Sequence, residues 1–277
     1  MVDLCSVDHL HRENGQSCRE GDAHAGSGKG FPMTANRRGL QWVEHVRATS
    51  PATTGQQTVP PRVALARGRR DLAIAIAALG LFVVLFTLVR GGHSARTDHR
   101  ITIALQRRRS PRFKRLMEAV SWPGFPPQSR LLPPLLASGW LVLGFPLEAL
   151  FQALAWGTGG ISFTVKRVMR RPRPNHPEIA VAIARIGGSS FPSGHVLNYM
   201  GVYGFLSYLL ASLIRPARLR RTIVGALIAL LGLVGPSRIY LGHHWASDVS
   251  ASYLLGTTYL IGLTTVYRRV KTWVSGV

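Results

Sequence analysis

The chain has 277 residues, 46% of them hydrophobic and 17% charged, with 34 Lys and Arg against 12 Asp and Glu for a net charge of +22. This length admits one large domain, and Cys5 and Cys18, the only cysteines, exclude a disulfide framework or a cysteine nucleophile in the apolar region. The Lys and Arg residues cluster at the flanks of apolar blocks, so membrane lipids rather than nucleic acid are the expected partner.

Residues 1–68 are rich in Gly, Ser, Thr, His and Arg and lack a sustained apolar period. They are expected to form a disordered basic tail. His9, His11 and His24 match no compact zinc-ligand spacing, and the first apolar run begins too late for a cleaved secretory signal. Met33 is an alternative start. Leu72 to Val89 carries no charge and is bracketed by Arg69, Arg70 and Asp71 on one side and Arg90 on the other, so it predicts a transmembrane helix. The mixed segment Gly91 to Arg130 holds Arg107, Arg108, Arg109, Arg112, Lys114 and Arg115 and reads as an amphipathic helix on the membrane surface. Leu131 to Val165 is broken near Pro146 and Glu148 and predicts a helical hairpin. Further helices are expected over His195–Ile214, Thr222–Tyr240 and Ser247–Val266. The fold class is therefore all-α: a polytopic membrane protein with a six-helix bundle over residues 69–277. On that count the third helix ends, the fourth begins, the fifth ends and the sixth begins at one membrane face.

Each of those ends carries polar chemistry. Lys166-Arg-Val-Met-Arg-Arg-Pro-Arg-Pro174 lets Pro172 and Pro174 stop a helix and turn Arg173 back toward Lys166, so two cations can meet one anion. A generic basic anchor explains such a run equally well. Phe191-Pro-Ser-Gly-His195 opens the fourth helix: Ser193 can cap, Gly194 lets backbone N–H groups approach a ligand, and the helix N-terminus favours an anion. His195 is then placed to pass a proton, whereas plain capping accounts for Pro and Ser but not for Gly-His. Ser237-Arg-Ile-Tyr-Leu-Gly-His-His-Trp-Ala-Ser-Asp248 joins two apolar runs. If its second half is helical, His244 and Asp248 share a face, and the carboxylate can hold an imidazole N–H. His243 lies about 140° from Asp248 and is the poorer partner. An interfacial His-His-Trp belt is the competing reading.

The pattern Lys166-x6-Arg173-Pro174, Pro192-Ser193-Gly194-His195 and Ser237-Arg238-x5-His244-x3-Asp248 resembles the three signatures of the type 2 phosphatidic acid phosphatase superfamily. The resemblance covers roughly Leu72 to Val266. It implies that His244 takes the phosphoryl group as a phosphohistidine, with Asp248 orienting it. His195 would protonate the leaving oxygen and then activate water, and Lys166, Arg173, Ser193, Gly194 and Arg238 would hold the phosphate oxygens. Fixed donors suit the charge spread over a transferring phosphoryl group. Arg171-Pro172 is a second Arg-Pro pair, and the family spacing selects Arg173, leaving Arg170 and Arg171 for a second phosphate or the membrane surface.

No cofactor or metal is implied, since only Glu118, Glu148, Glu178 and Asp248 follow Pro111 as carboxylates and a two-metal site needs several oxygen ligands in one place. The expected activity is hydrolysis of a lipid phosphate monoester or pyrophosphate, of the phosphatidic acid, phosphatidylglycerol phosphate or undecaprenyl pyrophosphate type. Alternatives are a phosphotransferase using the same histidine, a non-catalytic lipid transporter or binding protein, and a vanadate-dependent haloperoxidase, a typically soluble class that the apolar blocks oppose. With the tail cytoplasmic, Arg215–Arg221 and Arg268–Lys271 fall inside and the site faces outward, in a bacterial plasma membrane. Oligomeric state is left open.

Overall fold

The computed structural model describes residues 61–108, 110–182 and 187–275, and the expected tail lies outside the described residues up to residue 60. Among the described residues the chain is helical and has no strand. Helix α1 spans Pro61–Arg90, α2 Ala95–Gln106, α3 Pro111–Ser121, α4 Gln128–Val142, α5 Pro146–Ala155, α6 Thr158–Met169, α7 Gly194–Leu213, α8 Ala217–Tyr240 and α9 Ala246–Val274. A 3-10 turn, Trp122–Gly124, follows α3. Residues 61–68, expected in the tail, belong to α1, because Pro61 fits a first helical turn and the Ala- and Leu-containing run after it continues the helix.

Four helices, Ala66–Arg90, Gly194–Leu213, Ala217–Tyr240 and Ala246–Val274, are long and apolar enough to cross a membrane. Their exposed Leu72, Ile76, Leu81, Val84 and Ile228 would be a liability in water and suit lipid. The expected hairpin is instead three shorter helices, α4 to α6. Gly144, at φ 81°, ends the first, and the turn at Trp156–Gly157 separates the other two, so among the described residues four of the six expected crossings reach membrane length and the two of the hairpin are not confirmed as crossings. The segment expected as one surface helix is also divided. α2 buries Asp98 and Thr102, and α3 buries Met117, Val120 and Ser121 against the end of α8, so both help build the interior.

The core lies around α7, whose Val196, Leu197, Tyr199, Val202, Phe205 and Leu209 are fully buried. Tyr199 donates its hydroxyl to Val120 O at 2.7 Å, which ties α7 to α3. Helix α8 contains Pro236, which has no N–H to give and disrupts the ladder one turn back. Tyr253 of α9 repairs the defect: its hydroxyl accepts from Gly235 N (3.0 Å) and donates to Leu231 O (2.6 Å), as an inserted water would. The last turn of α8, with Ser237 and Arg238, is thereby held against α9. At the other end of the bundle Glu148 accepts from Tyr267 (2.8 Å) and Lys271 (2.6 Å), pinning α5 to α9.

Candidate active site

The C-terminal end of α6, the N-termini of α7 and α9 and the C-terminal end of α8 meet, as the motif positions require. The loop before α7 joins them. Ser190 N donates to Arg171 O (2.9 Å), Arg171 N donates to Ser189 Oγ (3.0 Å) and Ser190 Oγ donates to Pro172 O (3.0 Å), so residues 189–190 are zipped to residues 171–172. The carbonyls of this loop then face the side chains of the motifs. Lys166 Nζ donates to Ser189 O at 2.8 Å and Arg173 Nη2 reaches the same oxygen at 3.5 Å, which brings the two predicted phosphate ligands together.

His244 is buried, and its Nδ1 lies 2.7 Å from Ser190 O. A carbonyl only accepts, so Nδ1 carries the proton and Nε2 keeps its lone pair. That bare nitrogen lies 3.3 Å from Arg173 Nη1. Asp248 was expected to hold the imidazole directly, but its Oδ2 is 3.7 Å from His244 Nδ1, beyond hydrogen-bond reach. The reason is local: Gly242, at φ +70°, ends α8 in a tight turn, α9 starts only at Ala246, and His244 lies in the turn rather than on the helix. Asp248 instead accepts from Trp245 N (2.8 Å) and from Arg171.

Arg171, expected at a second phosphate or the membrane surface, is instead the partner of Asp248. Its Nη1 donates to Asp248 Oδ1 (2.5 Å) and Ser247 Oγ (2.7 Å), and its Nη2 donates to Asp98 Oδ2 (2.6 Å) and Ser94 Oγ (3.1 Å). Asp98, from α2, also accepts from Ser247 N (2.8 Å) and Ser247 Oγ (2.7 Å) and so caps α9 from outside. Sequence reasoning missed Asp98. Its neighbours Arg96, His99 and Arg100 make it look like one charge in a solvated run.

Arg238 is fully buried. Its Nη1 donates to Ser121 Oγ (3.1 Å), its Nη2 donates to His243 Nδ1 (2.7 Å), and its guanidinium lies 4.8 Å over the Phe125 ring. Phe125 also meets His195 edge-on at 4.7 Å and His243 at 5.9 Å, so one ring lines up three site residues. Ser193 occupies the N-cap of α7 but makes no side-chain cap bond. Ser193 Oγ, His195 Nε2 and Arg238 Nε are buried polar atoms with no hydrogen-bond partner. Leaving such a group unpaired costs about 1–3 kcal/mol, which a ligand oxygen would recover. Gly194 faces Ser162 and Lys166, and a Cβ there would sit in ordinary contact with Ser162 Oγ, 3.4 Å away.

Gly124 was not singled out by sequence reasoning. A Cβ there would overlap the His195 ring. Gly124→Ala is therefore expected to leave the fold intact and lower turnover by about 100-fold through displacement of His195, which kcat alongside a circular dichroism spectrum will test. An unchanged kcat would show that His195 tolerates the shift.

The site's charge is tuned by burial. Desolvation, with the Arg173 charge beside it, lowers the Lys166 ammonium to about 8. Desolvation first, then Arg238, Arg173 and Lys166, holds the His244 imidazolium well below the ordinary histidine range. A lowered value means that the charged form is lost at lower pH: His244 stays neutral into mildly acid solution, and Lys166 loses its proton as pH rises through about 8. Next to Lys166 a cleft of about 530 Å³ opens, lined by Phe163, Arg167, Arg170, Pro172 and Gly188 among others.

The fold and site define an all-helical membrane protein with a buried cationic centre around one proton-poised histidine. Residues 148–272 match the family model of the PAP2 superfamily. Decaprenylphosphoryl-5-phosphoribose phosphatase of Mycobacterium tuberculosis is 34% identical over 119 residues, 43% of this chain and 56% of the relative. The chain thus spans little more than half of that relative's length. Phosphatidylglycerophosphatase B of Bacillus subtilis is 26% identical over 182 residues, 63% of this chain and 85% of the relative. Among solved structures, a transmembrane PAP2 type phosphatidylglycerolphosphate phosphatase from Bacillus subtilis superposes with a TM-score of 0.63 at 22% identity, covering 71% of this chain and 96% of that one. At that identity the likeness concerns the fold.

Proposed function

We propose that this protein is an integral-membrane lipid phosphatase that removes a phosphate monoester or pyrophosphate group from an amphiphile whose tail stays in the bilayer. The observation that carries the reading is the His244 imidazole: its Nδ1–H is taken by Ser190 O, and its bare Nε2 lies at 3.3 Å from Arg173, with the half-buried Lys166 and the buried Arg238 in the same site. A lone pair so held suits in-line attack on phosphorus, with Lys166, Arg173, Ser193 Oγ, the N–H groups at the start of α7 and Arg238 Nε receiving the oxygens. His195 serves as acid for the leaving oxygen and then as base for water, and Asp248 positions the His244 turn through Trp245 N and Arg171. The names of the relatives support substrates of two kinds, a phosphatidylglycerol phosphate and a polyprenyl-linked sugar phosphate. Undecaprenyl pyrophosphate and phosphatidic acid complete the panel. The basic stretches at Arg215–Arg221 and Arg268–Lys271 favour an outward-facing site in a bacterial plasma membrane.

The test is phosphate release by the purified, detergent-solubilised chain over that panel. Free phosphate supports hydrolysis, a labelled acceptor would mean phosphotransfer instead, and release of neither would favour a binding protein. Turnover is expected to persist in EDTA, because among the described residues the carboxylate nearest His244 is Asp248, at 3.7 Å, and its own partners are Arg171 and a backbone N–H. Loss in EDTA with recovery in magnesium would contradict the metal-independent step. kcat/KM is expected to fall as pH rises through about 8, where Lys166 discharges, and to show no acid limb from His244 near neutrality. A profile flat through that range would remove Lys166 from phosphate binding.

A further inference from the structure

Outside the phosphoryl site, His99, His176 and Glu178 bring three ligand atoms within 4.8 Å of one another. They come from two elements: His99 from α2, His176 and Glu178 from the loop after Arg173. His99 Nε2 is 3.4 Å from Glu178 Oε2 and His176 Nδ1 is 3.8 Å from the same oxygen, while the two imidazoles meet edge to face at 4.5 Å. These separations exceed ordinary hydrogen bonds. They approach the roughly 3.4 Å between neighbouring ligands around a tetrahedral ion held at about 2.0–2.1 Å. The one direct bond in the group is long, Glu178 N to His176 Nδ1 at 3.4 Å, and is easily exchanged for a metal bond.

The loop does not need an ion to reach α2. Gln106, at the end of α2, donates to Ala180 O (2.7 Å) and Tyr240 O (2.8 Å) and accepts from Ala180 N (3.0 Å). This clamp lies two residues from Glu178 and holds its loop beside the helix that carries His99, so the ligands are assembled beforehand. The side chains of His99, His176 and Glu178 are 31%, 49% and 62% exposed, which leaves an entry path and a place for water as the fourth ligand.

We infer that His99, His176 and Glu178 form a binding site for a divalent transition-metal ion of the zinc class, a structural clamp between α2 and the loop after Arg173. Two imidazoles and one carboxylate suit zinc better than magnesium or calcium, which want oxygen. The clamp would brace the elements that deliver Asp98 and Arg173 to the active site without taking part in the chemistry there.

The experiment is a Zn²⁺ titration by calorimetry of tag-free, EDTA-stripped full-length protein in detergent, with melting followed in parallel. His99→Ala and the exposed Glu178→Gln serve as variants, so that one remains informative if the other fails to fold. Wild type should bind one more ion than either variant, since Cys5, Cys18 and the tail histidines are common to all. Loss of a ligand should weaken that site more than about 100-fold, because even outer-shell partners are worth about 10–100-fold. Zn²⁺ should raise the wild-type melting temperature by several degrees and that of the variants by less. Equal stoichiometry in all three proteins, or an equal shift in melting, would overturn the assignment.

Discussion

Phosphate release is expected to fall by about four orders of magnitude or more in His244→Ala, beyond what the modest loss of stability from the lost Ser190 O bond explains. The magnitude follows from the role: removing a nucleophile from a set that acts as a unit costs most of the catalysis, and what survives comes from binding and charge stabilisation alone. His244→Gln keeps an acceptor near Arg173 and part of the packing, yet cannot form the covalent intermediate, so it should be equally inactive. The contrast with His243 sharpens the expectation. His243 Nδ1 accepts from Arg238 Nη2 at 2.7 Å and so helps hold that guanidinium in place. His243→Ala should therefore retain measurable turnover. Equal activity in wild type and His244→Ala would remove the nucleophile from the account.

Arg171→Ala is expected to damage stability and turnover together. Arg171 lies between Asp98 and Asp248, and the three side chains are 11%, 2% and 0% exposed. Removing the cation leaves two buried carboxylates facing each other, and loss of one partner from a buried pair costs about 3–5 kcal/mol. The first turn of α9 then loses its anchor, since Asp248 caps Trp245 N and Asp98 caps Ser247 N. Because the His244 turn leads into that helix, Nε2 moves off its line of attack. Arg171→Lys keeps the charge but cannot reach both carboxylates in a fork, so it should fall between wild type and alanine. Asp98→Asn keeps one acceptor oxygen, so it loses either the bond from Ser247 N or those from Ser247 Oγ and Arg171, and should lower stability by less than Arg171→Ala but measurably. Denaturation in detergent and kcat on the same preparations decide this; a wild-type melting temperature in Arg171→Ala would mean that the two carboxylates are accommodated without it.

Much of this site was legible because polar residues are costly where long apolar helices end, so Lys166, Ser193, His195, Arg238, His244 and Asp248 stand out against their surroundings. Other parts left no such mark. Asp98 sits in a run of charges that would look the same on a solvated helix, and only folding shows that its carboxylate turns inward. Ser189 and Ser190 act through backbone carbonyls, which no side-chain pattern reports. Gly124 and Phe125 lie in a proline-rich turn whose composition says loop but not that it frames His195. Arg171 and Arg173 present the same Arg-Pro dipeptide. Their separate duties arise from the zipper between residues 171–172 and 189–190. The long apolar run from Leu131 to Val165 showed its break near Pro146 but concealed the second, because Gly157 weighs little against its hydrophobicity. The direct His244–Asp248 pair assumed helix where Gly242 imposes a turn.

The most direct measurement is rapid quench of the His195→Ala protein with a ³²P-labelled lipid phosphate, followed by mapping of the label. With the base for hydrolysis removed, the phosphoryl group should accumulate on His244 at Nε2, acid-labile and base-stable, because Nδ1 is occupied by Ser190 O. Label on another residue, label on Nδ1, or full turnover with no label on His244 would contradict a mechanism built on that bare nitrogen.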